Sequence, residues 1–312
     1  MSSFIIAANA VVPFIIYILF GMIIRKAGLA DGPFLTKLNK LLFKAFFPLL
    51  MFRNITGIES GMNFSPGMVV FAVAGLLLLI GLLILAIPRI ESEDARRGVM
   101  IQAIFRGNYA LFSIPLTTSL FGAEGTALSS LMMLVSIPMY NVMAVVVLSL
   151  FGGGKVSLWK ILKDIASNPL IDGILAGLLF RLLGIRLPAA VSSPIAALAA
   201  CTTPMALCVL GARMQLTSVR GNRKSILLVL ALKLAIVPAL VTVCATALGF
   251  RGLQWFILFI YFGAPTAVSS VSMAENMGGD GELAGELVVA TTLASIFSIF
   301  FWIVAASSLG IM

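Results

Sequence analysis

The chain has 312 residues, 61% of them hydrophobic and 11% charged, with a mean hydropathy of +1.13, which excludes a soluble globular protein and points to a polytopic membrane protein. Lys and Arg total 21 against 12 Asp and Glu, and in so apolar a chain that excess tops cytoplasmic loops rather than forming a nucleic-acid surface. There is no His, which removes the usual near-neutral general base and the commonest metal ligand, so no enzyme, metal site or cofactor is expected.

The first apolar run, 4–24, has no basic residue before it and ends in Arg25 and Lys26, the pattern of a retained first span rather than a signal peptide. Further runs of membrane-crossing length follow at 36–57, 66–88, 97–121, 125–151, 166–185, 189–213, 223–249, 251–275 and 284–310. The count is about ten helices. Odd-numbered connections carry 14 of the Lys and Arg, even-numbered ones four, and three lie within spans, so the odd loops are expected in the cytoplasm and both termini outside. Cys201, Cys208 and Cys244 all sit in apolar runs and read as small core residues; Cys201 and Cys208 are roughly 10 Å apart along a helix, beyond disulfide reach.

The fourth span contains IFRGNYALFSIPLTTSLFG, ending at Gly122, where Arg106, Gly107, Asn108, Ser113 and Pro115 interrupt an apolar run. Sliding the chain on itself by 156 positions sets this stretch against YFGAPTAVSSVSMAENMGGDG, Tyr261 to Gly281, in the ninth span. The same offset aligns GMIIRKAGL from Gly21 with GLLFRLLGI from Gly177, and pairs Pro13 with Pro169, Pro48 with Pro204, Gly107 with Gly263 and Ser113 with Ser269. An internal duplication follows, residues 1–151 and 166–312 joined by a short cytoplasmic linker at 152–165. With five spans in each half, the second half enters the membrane inverted, the architecture of many secondary transporters.

Two Gly/Pro-interrupted spans at corresponding places point to a binding site near the bilayer centre. Unwound backbone needs a wet cavity or protein around it, and the half-helix N-termini beyond each break suit a carboxylate. The expected site is Arg106, Gly107, Asn108, Ser113, Pro115, Pro265, Thr266 and Ser269, the break in span four being bracketed by Gly107 and Pro115. Arg106 lies roughly 15 Å deep; it either binds an anion or pairs with Asp172. Asn141 serves either helix packing or substrate. Asp172 and Glu275 are candidates for ion coupling, although Glu275 and Glu286, near the ends of their spans, are expected to be solvated. Lys44 and Lys233 are expected to snorkel towards headgroups, and the remaining intraspan prolines to kink their helices.

The segments GNYALFSIPL, SNPLIDGILAGLLF, TTPMALCVLGARM, LKLAIVPALV and FGAPTAVSSVSMAENMGGDGELAGELV resemble, in order and spacing, signature segments of the auxin efflux carrier family in its bacterial branch. The resemblance implies the bile-acid/sodium symporter-like fold: two inverted five-helix repeats, broken helices 4 and 9 that cross, a scaffold from helices 1, 2, 6 and 7, and a transport core from helices 3–5 and 8–10 that moves like an elevator. It implies a homodimer in a bacterial cytoplasmic membrane, carrying a small organic anion such as malate, malonate or an auxin-like acid, with H⁺ or Na⁺ coupling left open. Asn108 and Pro265 match the Asn and Pro of the two family breaks. A passive anion channel and a sodium-coupled symporter of the bile-acid type are the alternatives.

Overall fold

The computed structural model describes residues 3–57, 65–152, 159, 162–163, 166–213 and 222–312, without the side chains of 3–11, 14, 110, 111 and 115. Most of the expected linker, with Lys155, Lys160 and Arg220 among the loop cations, lies outside the described residues. The chain runs through α1 (Ser3–Lys26), α2 (Gly32–Leu41), α3 (Phe47–Thr56), α4 (Pro66–Ala86), α5 (Asp94–Phe105) and α6 (Tyr109–Phe151). There follow α7 (Pro169–Leu182), α8 (Ala189–Arg213), α9 (Arg223–Ala231), α10 (Val237–Ala247), α11 (Gly252–Gly263), α12 (Ser269–Asn276) and α13 (Gly281–Ser308). Among the described residues, five helical stretches are long and apolar enough to cross a membrane: Pro66–Arg89, Leu116–Phe151, Ala189–Arg213, Arg223–Ala247 and Gly281–Ser308.

Local chemistry sets several boundaries. Asp31, Asn168 and Asp280 cap α2, α7 and α13, each side chain accepting from a backbone N–H of the first turn, and Pro169 fills the first position of α7 where no N–H is needed. Wider π-type turns at Leu42–Phe46 and Leu232–Ile236 join α2 to α3 and α9 to α10, just ahead of Pro48 and Pro238. Pro238 has no N–H to offer Leu234, whose carbonyl instead accepts from Ser298 Oγ at 2.6 Å and Trp302 Nε1 at 3.0 Å. The proline is therefore more than a kink: it frees a carbonyl that fastens α13.

Packing shows which faces meet lipid. α4 turns Val70, Leu77, Leu78, Leu82 and Leu85 outward, whereas α5 is buried from Gly98 to Phe105 and α11 from Trp255 to Gly263. These two 12-residue helices, about 18 Å long, are enclosed by other helices, so neither needs to cross the bilayer alone. The cysteine expectation fails here: Cys201 and Cys244 are exposed on the outer faces of α8 and α10, because an apolar run does not say which side faces lipid. Lys233 is the opposite correction. It is fully buried in the π-type turn, and its Nζ has no hydrogen-bond partner among the described residues, whereas Lys44 in the other turn is exposed.

Helices also meet backbone to backbone. A Cβ on Gly21 would lie 2.0 Å from the Cys208 carbonyl oxygen, and one on Gly211 2.0 Å from that of Ile18, so α1 and α8 touch through glycine. On the facing pair, a Cβ on Gly173 would lie 2.3 Å from the Pro48 carbonyl and one on Gly177 3.1 Å from that of Phe52. Gly21 and Gly177 are 156 positions apart, as are Phe52 and Cys208: the α1–α8 contact recurs between α7 and α3 with the halves exchanged. Gly28 and Gly184, and Gly122 and Gly278, repeat the same spacing with positive φ at all four.

Candidate functional site

The interruptions in the two expected spans face one another. α5 ends at Phe105 and α6 begins at Tyr109; α11 ends at Gly263 and α12 begins at Ser269. Between them the chains run antiparallel, with Gly107 opposite Thr266. Asn108 N–H donates to the Pro265 carbonyl at 2.7 Å, and Ala267 N–H to the Arg106 carbonyl at 3.2 Å. Thr266 closes the remaining gaps: its hydroxyl donates to the Ala103 carbonyl at 2.9 Å, and its N–H donates to Thr291 Oγ1 at 3.1 Å. The unwound segments thus satisfy each other's polar groups, with Thr291 of α13 as a third partner, which is burial against protein, one of the two surroundings the sequence allowed for.

Close approach depends on Gly107, where a Cβ would lie 3.2 Å from Ala264 Cβ and 3.3 Å from the Ala264 carbonyl oxygen. The break is shorter than expected. Helix resumes at Tyr109, so Pro115 lies within helical backbone and its side chain lies outside the described ones. The next departure comes at Gly122, with φ 64° and ψ −144°, before α6 continues.

Arg106 is 2% exposed. One Nη donates to Asn141 Oδ1 at 2.7 Å and Ser269 Oγ at 2.8 Å, and the other contacts Met273 Sδ. All are neutral. Among the described residues no carboxylate pairs with the guanidinium, and its hydrogen-bond partners there leave the positive charge at the crossing uncompensated. Asp172 is exposed in the first turn of α7 and does not pair with Arg106, which removes that alternative in this conformation. Asn141 also donates to the Ile137 carbonyl at 2.7 Å, so it is committed to packing and to Arg106 together. Asn108 differs from its neighbours: it is half-buried, and among the described residues its amide side chain has no hydrogen-bond partner.

Behind the break, Tyr109, Tyr140 and Tyr261 are buried together, the Tyr140 and Tyr261 rings stacked with centroids 4.9 Å apart, and Tyr140 OH donates to the Tyr261 carbonyl. Ser113 is buried one turn beyond Tyr109. Met273, Thr291 and these tyrosines were not singled out from sequence; three of the chain's four tyrosines converging here was the available signal.

A cavity of about 420 Å³ opens on the far face of α12, between α1, α2 and α8 on one side and α12 and α13 on the other. Arg25, Asn39, Arg213, Ser272, Glu275 and Glu286 are among its lining residues. Glu275 is only 19% exposed through its side chain, and Glu286 is 5% exposed and accepts from Asn222 Nδ2 at 2.7 Å, so neither carboxylate is solvated in the way its place near a span end suggested.

Comparison with known proteins matches residues 6–303 to the family described as "Membrane transport protein". The chain is also similar to a protein of Methanothermobacter thermautotrophicus named "Uncharacterized transporter", 23% identical over 304 residues, which covers 95% of this chain and 97% of that one.

Proposed function

Because the chain belongs to the auxin efflux carrier-like membrane transport protein family and is a multi-pass membrane transporter, we propose that it is a secondary carrier moving a small organic anion by elevator-type alternating access. The observation that carries the anion reading is a pair of neighbours: the half-buried Asn108 amide, without a hydrogen-bond partner among the described residues, next to a buried guanidinium whose acceptors among them are all neutral. A carboxylate arriving at Asn108 accepts the free amide N–H groups and gains the potential of Arg106, and its second oxygen suits Ser269 when α12 shifts. A mono- or dicarboxylate of the size of malonate or malate fits this donor set.

Ten spans in two inverted repeats are the architecture of this reading. The exchanged contacts of Gly21 with Cys208 and Gly177 with Phe52, and the positive-φ glycines 156 positions apart, support it. We take α1–α3, α7 and α8 as the scaffold and α4–α6 and α9–α13 as the moving core. The cavity then lies between the two and is flanked by Arg25 and Arg213, each in the last turn of its helix, on the side the positive charges mark as cytoplasmic. In this reading the conformation is open inward, and dimerisation uses the scaffold.

Uptake and counterflow of labelled malonate, malate and indole-acetate into proteoliposomes test the reading. Loss of charge-assisted hydrogen bonds predicts a rise in KM of about 10- to 100-fold for Asn108→Ala, and a loss of transport for Arg106→Ala. Unchanged transport in both variants refutes the site. Large single-channel currents without counterflow refute the carrier.

A further inference from the structure

The polar groups facing the cavity cross the boundary between the two bodies. Glu275, on α12, pairs through Oε1 with Arg213 at the end of α8 and accepts through Oε2 from Asn39 Nδ2 of α2. Asn39 in turn accepts from Ser272 Oγ at 2.6 Å, so both ends of its amide are held by α12. Asn39 and Ser272 are 5% and 2% exposed. The start of α13 is shaped for this carboxylate: a Cβ on Gly281 would lie 2.4 Å from Glu275 Cγ. Among the described residues, the other charged groups that line a cavity with Glu275 are Arg25 from α1, Lys40 from α2, and Glu282 and Glu286 from α13.

We propose that Glu275 is a proton-operated clasp: it holds the core against the scaffold while ionised and releases it on binding a proton. The proposal rests on the division into scaffold and core above. Glu275 and Ser272 ride on the core, whereas Arg213 and Asn39 belong to the scaffold, so movement of the core separates the carboxylate from both partners at once. Besides Arg213, the flank of α8 that lines the cavity offers Ala206, Val209 and Leu210, which cannot replace a guanidinium. An uncompensated carboxylate against such a surface is strongly disfavoured, and a neutral carboxyl is not. In the step, hydronium in the cavity gives its proton to Oε1, the O–H bond replaces the ion pair, Arg213 turns to water, and the proton returns to water when the carboxyl is next solvated. Low pH therefore favours movement.

The test uses spin labels on Lys37→Cys in α2 and Ser92→Cys between α4 and α5, both exposed, with the three native cysteines replaced by Ser in the full chain in lipid. Electron spin resonance then reads the distance distribution against pH. The label pair alone is expected to show one distance at high pH and a second that grows as pH falls. Added Glu275→Gln is expected to show both at every pH. Added Arg213→Gln is expected to keep the pH dependence, because the carboxylate still needs its proton. The proposal is overturned if Glu275→Gln retains the parent pH dependence, or if Arg213→Gln loses it as Glu275→Gln does, which is the behaviour of a plain ion-pair latch. One unchanging distance in all three proteins refutes the moving core itself, and so the carrier reading beneath the proposal.

Discussion

Thr266→Val removes a hydroxyl from the crossing and keeps the side chain's shape. Thr266 is 1% exposed, and its Oγ1 donates at 2.9 Å to the Ala103 carbonyl in the last turn of α5. In an uninterrupted helix that carbonyl would accept from the N–H of Gly107, but the chain leaves helical geometry at Arg106. Valine offers no donor, and nothing else among the described groups replaces it. A buried carbonyl deprived of its partner costs about 1–3 kcal/mol. For a chain of 312 residues that corresponds to a fall in Tm of roughly 1.5–4.5 °C, read by thermal unfolding of the purified protein in detergent. Transport in proteoliposomes is expected to fall with it, because the same hydroxyl sets the register of Gly107 against Thr266. Thr266→Ser retains the donor and is expected to keep the transport rate close to wild type while losing about 1 kcal/mol for the missing methyl. A Val variant with wild-type Tm and wild-type transport refutes the claim that this bond holds the two breaks together.

Two further substitutions probe packing away from the crossing. Gly211→Leu drives a side chain into the Ile18 carbonyl, where even a Cβ would lie at 2.0 Å, so α1 and α8 must part; a drop in Tm well beyond that of Thr266→Val is expected, and full stability of the variant contradicts the backbone contact. Lys233→Met replaces a buried ammonium that lacks a hydrogen-bond partner among the described residues with an apolar chain of similar length, and is expected to raise stability by about 1–4 kcal/mol, measured by the same thermal unfolding. A fall in Tm there points to a partner for Lys233 that the described residues do not supply.

Membrane class, the place of several long apolar helices and the two interrupted helices were legible along the chain, because lipid penalises every charge and every unpaired backbone group in a way that sequence composition must answer. Gly107, Asn108 and Pro265 announced the breaks by their own backbone preferences, and the 156-residue echo announced that the breaks correspond. The extent of the first break was not legible. Pro115 suggested a longer interruption, but pairing with the segment at Pro265 and Thr266 satisfies the freed groups within three residues, and helix resumes at Tyr109.

Partners of the charged groups depended wholly on tertiary structure. Arg106 had two readings from sequence, an anion or Asp172; the fold sets Asp172 aside, since Asn141 and Ser269 reach Arg106 from α6 and α12, which wrap the crossing, while α7 leaves Asp172 exposed. Lys233 went inside and Cys201 and Cys244 went outside, against expectation, because both faces of a membrane helix are apolar and hydropathy carries no sign for inward or outward. The bilayer writes its demand for apolar length and satisfied backbone into the one-dimensional pattern; which polar groups meet is decided only when helices distant in sequence pack, since no periodicity along one helix specifies what its neighbours bring.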